Sequence, residues 1–431
     1  MISKPRLRAT CGAAAMILGA GTAAAFSVET NGITLSVNGN VNANLTYVAC
    51  DKHADTVKGS LLCSVGPGEG KSSATSINSG NLPNGIVFGV KTALYGVDSA
   101  VVFGFYPGIV NNDYASSTGG ANGPNLGALG GNYALGTTNN DIRQLYATFG
   151  TKDLGQLKIG RDYSPVGFDA ILNDITLISV GVASVRTARS PANTTLGTIG
   201  FGHIFPTPQA AITYTTPDYS GVKVSFGVFQ PLDAISASGT GASSANSLKG
   251  LPGFQGKVRY DLAQQDGFSG FIGGTGLYQQ QDLNVPGPGA TLTSQTPKSV
   301  GGDVTGKLAY GPFAVVASYY LGTGLGVYGY FIDGFSATGE KRFSNGGYLQ
   351  GTYTLGKTTF GANYGISKLD AGKGDTDALL LKSNSKFTVG VYHKLFPNLT
   401  LTSEFTNAKS KSIANGTIET QNVNVGFFVS F

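Results

Sequence analysis

ITLSVNGNVNANLTYV, residues 33–48, sets Leu35, Val37, Val41, Ala43, Leu45 and Tyr47 against Ser36, Asn38, Asn40, Asn42, Asn44 and Thr46. A β-strand turns successive side chains to opposite faces, so this alternation puts apolar groups on one face and amides on the other. The polar face holds too many amides for a dry core, and it carries little charge. A lipid-facing side and a watery interior satisfy both faces. A strand of a soluble sandwich would satisfy this one stretch equally well, so the choice rests on what the rest of the chain repeats.

The pattern recurs along the whole chain. Ile86, Phe88, Val90 and Leu94 alternate with Gly89, Lys91 and Ala93, then turn at Gly96–Asp98 into Val102, Gly104 and Tyr106. Leu145, Ala147 and Phe149 turn at Thr151–Gly155 into Leu157 and Ile159, with Lys158 on the opposite face. Val222, Val224, Phe226 and Val228 oppose Lys223, while Phe254, Val258 and Tyr260 oppose Lys257, Arg259 and Asp261. Val304 and Leu308 oppose Asp303 and Lys307, and the last strand carries Val423, Val425, Phe427, Val429 and Phe431. Sixteen such strands can be traced, joined alternately by short turns and long loops. Each is long enough for a tilted bilayer crossing of about 9–11 residues. An even count lets the first and last strands pair antiparallel, which closes the sheet and leaves no edge in lipid. The expected fold is all-β, a 16-stranded antiparallel transmembrane β-barrel in one domain, residues 26–431.

Composition agrees. Of 431 residues only 12 % are charged, against about 25 % in ordinary soluble proteins. The chain has 65 Gly, 20 Tyr and 24 Phe and no Trp, and 41 % of it is hydrophobic, which argues against disorder. No run of about 18 apolar residues occurs beyond the N-terminus, which excludes a helical membrane protein. Residues 1–25 read as a signal peptide: Lys4, Arg6 and Arg8 precede a short apolar core, and Ala23-Ala24-Ala25 offers the cleavage site before Phe26. A short membrane anchor is the alternative. Removing those three of the 29 basic residues leaves 26 against 24 acidic ones, a net charge of about +2. Nothing in that balance forms a patch of the nucleic-acid-binding type. Cys50 and Cys63 share one predicted loop, and in an exported protein they are expected to form a disulfide.

One stretch breaks the rhythm. After Gly160-Arg161-Asp162-Tyr163 no comparable strand resumes until about Gln209. The insert, about 163–208, is rich in Phe168, Ile171, Leu172, Ile175, Leu177 and Ile178, with Asp169, Asp174, Arg186 and Arg189 among them. A loop that apolar would expose too many large side chains to water if it lay on a wet surface. It is expected to fold into the barrel and narrow its interior.

Four motifs carry a resemblance to the trimeric sixteen-stranded general porins of Gram-negative outer membranes. They are the hairpin Arg143–Phe149 with Leu154–Arg161, the loop start Phe168-Asp169-Ala170 with Asp174, the strand and turn Ile212–Pro217 before Gly221, and the terminal Phe431. The strand-level likeness covers nearly all of residues 33–431, whereas the loops match poorly and the Pro-Glu-Phe-Gly of many such third loops is absent. The resemblance implies a passive channel for small hydrophilic solutes and ions, with the insert as its third loop. It implies a homotrimer in outer-membrane lipid and lipopolysaccharide, delivered by the barrel-assembly machinery through Phe431 as the assembly signal. It also implies a constriction of Asp169 and Asp174 on the loop and Arg161 on the facing wall, to which Lys158 is added because alternation puts it on the polar face. Arg161, however, lies on the apolar parity of its strand, so pointing inward would need a bulge.

Alternation alone places Lys91, Lys158, Lys223, Lys257, Arg259 and Lys307 on the polar face, with fewer carboxylates (Asp261, Asp303, Glu404). Opposed rows of charge would give a transverse field and a weak anion preference. Any single Lys could instead be a solvated wall charge, and Asp174 could be a helix or turn cap. Arg186 and Arg189 are expected to pair with loop carboxylates rather than line the constriction. Other readings fare worse. Gly66–Ser72 is one residue short of the phosphate-loop spacing and sits in a loop. Three His (His53, His203, His393) in unrelated places supply no triad, so no enzyme is expected. No cofactor or metal is implied, since no dense run of oxygen ligands and no zinc spacing occurs. A substrate-specific channel and a non-conducting structural or adhesive barrel remain the alternatives.

Overall fold

A computed structural model describes residues 26–53, 56–66, 68–109, 140–184, 194–245, 247–286 and 292–431. Residues 1–25, read above as a signal peptide, and Arg186 and Arg189 lie outside the described residues. The strands are β1 (Phe26–Thr30), β2 (Ile33–Ala49), β3 (Ser73–Asn78), β4 (Gly85–Leu94), β5 (Val97–Pro107), β6 (Asn140–Thr151), β7 (Gly155–Tyr163), β8 (Pro208–Thr215), β9 (Val222–Phe229) and β10 (Gly253–Gln265). They continue as β11 (Phe268–Gln280), β12 (Leu283–Pro286), β13 (Leu292–Gln295), β14 (Lys298–Tyr310), β15 (Phe313–Thr323), β16 (Phe343–Leu355), β17 (Thr358–Leu369), β18 (Leu381–Phe396), β19 (Leu399–Ser412) and β20 (Thr417–Ser430).

Sixteen of these, β2, β4 to β11 and β14 to β20, pair antiparallel in chain order. The circle closes where β2 meets β20, with Asn40 opposite Ser430 and Ala49 opposite Gln421. The sheet holds two further short strands, β1 and β3, both on β2, and a separate hairpin, β12–β13, stands in a loop. The alternating pattern did not single these out. β1 and β3 are only 5 and 6 residues long, too short to cross lipid or to establish a period.

Local chemistry closes the hairpins at one end. Asn31-Gly32, Tyr95-Gly96 and Asp266-Gly267 each hold two successive positive φ angles, the primed turn whose twist matches that of paired strands. Beside such turns aromatic rings meet across strands: Phe268 on Tyr310 at 4.4 Å, Phe313 on Tyr353 at 4.9 Å and Tyr214 on Phe226 at 5.6 Å. Amphipathic rings at this level form the girdle expected of a lipid interface.

The two faces separate as the period demands. Leu45, Val258, Leu349 and Phe427 stand about half exposed on the outside, while Asn42, Asn44, Asn363, Thr402 and Asn424 are buried on the inside. An apolar core exists as well, but the loops build it at the open end. Leu61 and Leu62 (between β2 and β3), Ile235 (β9–β10), Leu283 (β12) and Tyr328, Tyr330, Phe331, Ile332 and Phe335 (β15–β16) gather on Ile199, Phe201 and Phe205.

Cys50 and Cys63 form a disulfide, as the sequence led one to expect. It closes the loop that carries Leu61 and Leu62 into the apolar cluster. Closing a loop of this length contributes about 3 kcal/mol in the chain-entropy account. A Cys50→Ser, Cys63→Ser double variant is therefore expected to expose residues 51–62 to proteases while the barrel keeps its heat-resistant electrophoretic mobility. Equal protease resistance would show that packing alone holds the loop.

Candidate functional site

Residues 164–207 connect β7 to β8, whose pairing ends at Tyr163 opposite Pro208. The sequence placed this insert at about 163–208. The segment folds into helix α1 (Phe168–Asn173), a 3-10 turn (Ile175–Ile178) and helix α2 (Ile199–Gly202). Its stems meet at Ser164, whose N–H and Oγ both donate to the Thr207 carbonyl.

From there it touches one strand after another on their polar face. On β10, Lys257 Nζ and Arg259 Nη1 donate to Asp169 Oδ1 at 2.7 and 2.9 Å. On β14, Asp303 accepts from Gly167 N–H at 3.0 Å and lies 3.5 Å from His203 Nε2, so one carboxylate reaches both stems. On β16, Tyr348 OH donates to the Ala170 carbonyl, and Gln350 bonds to both Asn173 and Ile175. On β17 and β18, Asn363 and Lys386 donate to Thr198 Oγ1, each at 2.6 Å. On β19, Glu404 Oε2 accepts from Gly181 N–H at 2.7 Å and from Val180 N–H. On β20, Asn422 and Asn424 donate to Gly181 and Ser179. The last contacts run to Asn81 and Leu82, between β3 and β4. At α2 the approach is backbone to backbone: a Cβ on Gly202 would lie 2.7 Å from the Gly365 Cα.

The predicted residues divide. Asp169, Lys257 and Arg259 come together, but as contact ion pairs rather than as charges opposed across water. Arg259 also bonds to Asp261 at 2.7 Å and lies 3.7 Å over the Phe271 ring. Asp174 is a structural cap. Its Oδ1 accepts from Thr176 N–H and Oγ, and its Oδ2 accepts from Thr198 and Ile199 N–H at 2.8 and 3.0 Å. Lys158 pairs with Asp162 at 2.6 Å beneath the Tyr146 ring. Arg161 does not belong here. Its strand runs in unbroken register from Gly155 to Arg161, it stands opposite the outward Leu145, and its Nε donates to the Ile142 carbonyl. Parity therefore decides its orientation, because no bulge intervenes. Lys223 pairs with Asp218 in the exposed turn between β8 and β9, where its hydrogen bond and that of Gly221 N–H hold the Asp218 carboxyl below its usual range. Lys91 is exposed on β4, and Lys307 sits half-buried opposite Phe271.

Several charged residues gained importance only in three dimensions. Lys386 is buried and also donates to Asn363 and Thr388. Its signal was the run Asn384, Lys386, Thr388 on the polar parity of a strand. Arg342 is fully buried where three loops meet, bidentate on Asp375 at 2.7 Å and bonded to the Asp333 carbonyl. Asp333 accepts from Ser238 N–H and Oγ; burial pushes its carboxyl up, while Arg342 and Ser238 pull against that. No local pattern marks such a triad, since Asp333 and Arg342 are nine residues apart in one loop and Asp375 comes from another.

The sequence profile of the Gram-negative porin family matches residues 12–412. No curated protein sequence matches significantly. Among solved structures, the outer-membrane channel DcaP of Acinetobacter baumannii is similar at a TM-score of 0.62 and 14 % identity, over 95 % of this chain and 100 % of that one. OmpF of Salmonella typhi, in complex with daunomycin, is similar at 0.54 and 13 %, over 94 % and 100 %. OmpT of Vibrio cholerae, an outer membrane protein, is similar at 0.53 and 12 %, over 94 % and 100 %. At such identities these likenesses bear on the fold. With the profile match spanning nearly the whole chain, this protein belongs to the Gram-negative porin family and is a β-barrel of the outer membrane.

Proposed function

We propose that residues 26–431 form a water-filled channel for passive diffusion of small hydrophilic solutes and ions, with residues 164–207 as its constriction and a weak anion preference. One observation carries the constriction. A segment leaving β7 bonds to the buried polar face of β10, β14 and β16 to β20 in turn. In a closed sheet that route runs through the interior, and every residue on it takes cross-section from the lumen. The anion preference is supported by the charge left after pairing: Lys91 and Lys307 have no ion-pair partner among the described residues, while Asp169 and Asp261 are taken up by Lys257 and Arg259. Selectivity then follows from width and residual wall charge. Family membership supports a homotrimer, export by the signal peptide of residues 1–25, and assembly into lipid and lipopolysaccharide by the barrel-assembly machinery. OmpT of Vibrio cholerae has been solved in a trimer form.

Mature protein reconstituted in a planar bilayer is expected to give long-lived conductance steps in multiples of three. In a salt gradient the reversal potential should carry the sign of weak anion selectivity. A cation-selective sign would discard the anion preference and leave the channel. The aromatic cluster Tyr328–Phe335 over Phe201 and Phe205 favours a second reading, a narrow substrate-specific channel or a barrel closed at rest. Folded protein that does not conduct would establish that reading.

A further inference from the structure

We infer that Asp169 is a tethered anion occupying a carboxylate-binding site of the barrel wall, and that small free carboxylates exchange with it during passage. This rests on the channel reading above.

The site is built by β10 and β11. Lys257 and Arg259 project from β10, and Gly273 stands opposite Arg259 on β11 as the floor. Arg259 is held in place from two sides, by Asp261 and by the Phe271 ring, so its remaining Nη1 donor has a fixed direction. Asp169 inserts into this fork with its Oδ1, which takes both cations. Its Oδ2 is buried and has no hydrogen-bond partner. That oxygen lies over Gly273, where a Cβ would sit 2.7 Å from it. The missing side chain is what makes room for the carboxylate.

Two features distinguish a site filled by a tethered ligand from an ordinary ion pair. First, Arg259 is fixed by contacts of its own with Asp261 and the Phe271 ring, so its Nη1 is presented to the site whether or not Asp169 accepts from it. Second, the carboxylate is under-used: both cations converge on one oxygen, and the other is buried without a protein hydrogen bond, whereas a freely oriented carboxylate could offer both. A mobile carboxylate can turn to use both oxygens, with Lys307 one row away on the same wall. Asp169 is held at high local concentration by its place in α1 and so competes with permeants, keeping the fork from trapping them. Asp169 is thus a specificity-determining residue, and Gly273 sets the space it occupies.

The test is chemical rescue with formate, which replaces the carboxylate that Asp169→Ala removes. The variant is expected to raise the anion-to-cation permeability ratio at least about threefold, because Lys257 and Arg259 lose their counter-charge. Millimolar formate should return that ratio to the wild-type value and raise the thermal unfolding midpoint of the variant, with less than a twofold effect on wild-type permeability. Asp169→Asn should show the same selectivity shift without rescue, since the amide fills the space. An Asp169→Ala ratio equal to wild type, or formate acting alike on wild type and variant, would overturn the inference. If wild type itself does not conduct, the channel reading fails, and the formate-dependent midpoint still decides whether the site binds carboxylate.

Discussion

Asp174→Ala channels are expected to fold in normal yield and to show a larger, noisier single-channel conductance than wild type. Asp174 joins two parts of the segment that are 24 residues apart, capping the 3-10 turn with one oxygen and the start of α2 with the other. Truncation leaves the N–H groups of Thr176 and Ile199 without their acceptor, while Thr198 N–H keeps Thr176 Oγ1 at 3.1 Å; buried donors left unpaired cost about 1–3 kcal/mol each. A total of about 4 kcal/mol shifts the local equilibrium between a docked and an undocked segment by roughly a thousandfold. The barrel keeps its ladder throughout, so the effect should appear in conductance and in protease cleavage within 164–207 rather than in the unfolding midpoint. Asp174→Asn retains one acceptor oxygen and should lie between the two. A quiet, wild-type conductance from Asp174→Ala would mean that the wall contacts through Gln350, Asn363 and Glu404 hold the segment by themselves.

Arg342→Ala is the second large effect, and it acts on the loops of the open end. Arg342 bonds to Asp375, Asp333 and Thr240, which tie the β17–β18, β15–β16 and β9–β10 loops together. Removing the cation strands two buried carboxylates, a change that costs about 3–5 kcal/mol when one member of a buried ion pair is deleted. The expected result is rapid cleavage of these three loops by added protease, and higher conductance if the aromatic cluster narrows the mouth. The defect should also depend on pH. The Asp333 carboxyl is raised in the folded protein, so its neutral form is the better tolerated one. Without Arg342 that preference strengthens. The folded loops are favoured below the ordinary carboxylate range and lose stability as pH rises through the raised value. Arg342→Ala should therefore look most nearly normal at acid pH. A defect that grows on acidification would contradict this account.

The barrel was legible because lipid on one side and water on the other force a strict period of two, and strands such as β2 and β20 carry it without interruption. The bounds of residues 164–207 were legible for the same reason, as the place where the period stops. Arg161 marks the limit of arguing from likeness. Its parity pointed outward, the family pattern pointed inward, and the unbroken register with β6 settled it outward. Asp174 admitted two roles from sequence because a carboxylate that caps and a carboxylate that faces water look identical in one dimension. The contact between Asp169 and the β10 cations was out of reach for a related reason. Alternation gives the face a side chain occupies, whereas the distance across a lumen depends on where a loop lies. Tyr328–Phe335 carried no period at all, and its role emerges only from what it packs on.

The meeting of Gly202 with Gly365 bears on how the aperture is measured out. The segment carries apolar bulk nearly everywhere, yet at the point where Gly202 of α2 meets Gly365 of the wall neither residue brings a side chain. Any substituent at position 202 acts as a shim, displacing the whole layer toward the axis by about the thickness of the group added. On the proposed constriction, bore and gasket would be set by the same absent atoms, and a methyl group at 202 is expected to be read out as lost conductance.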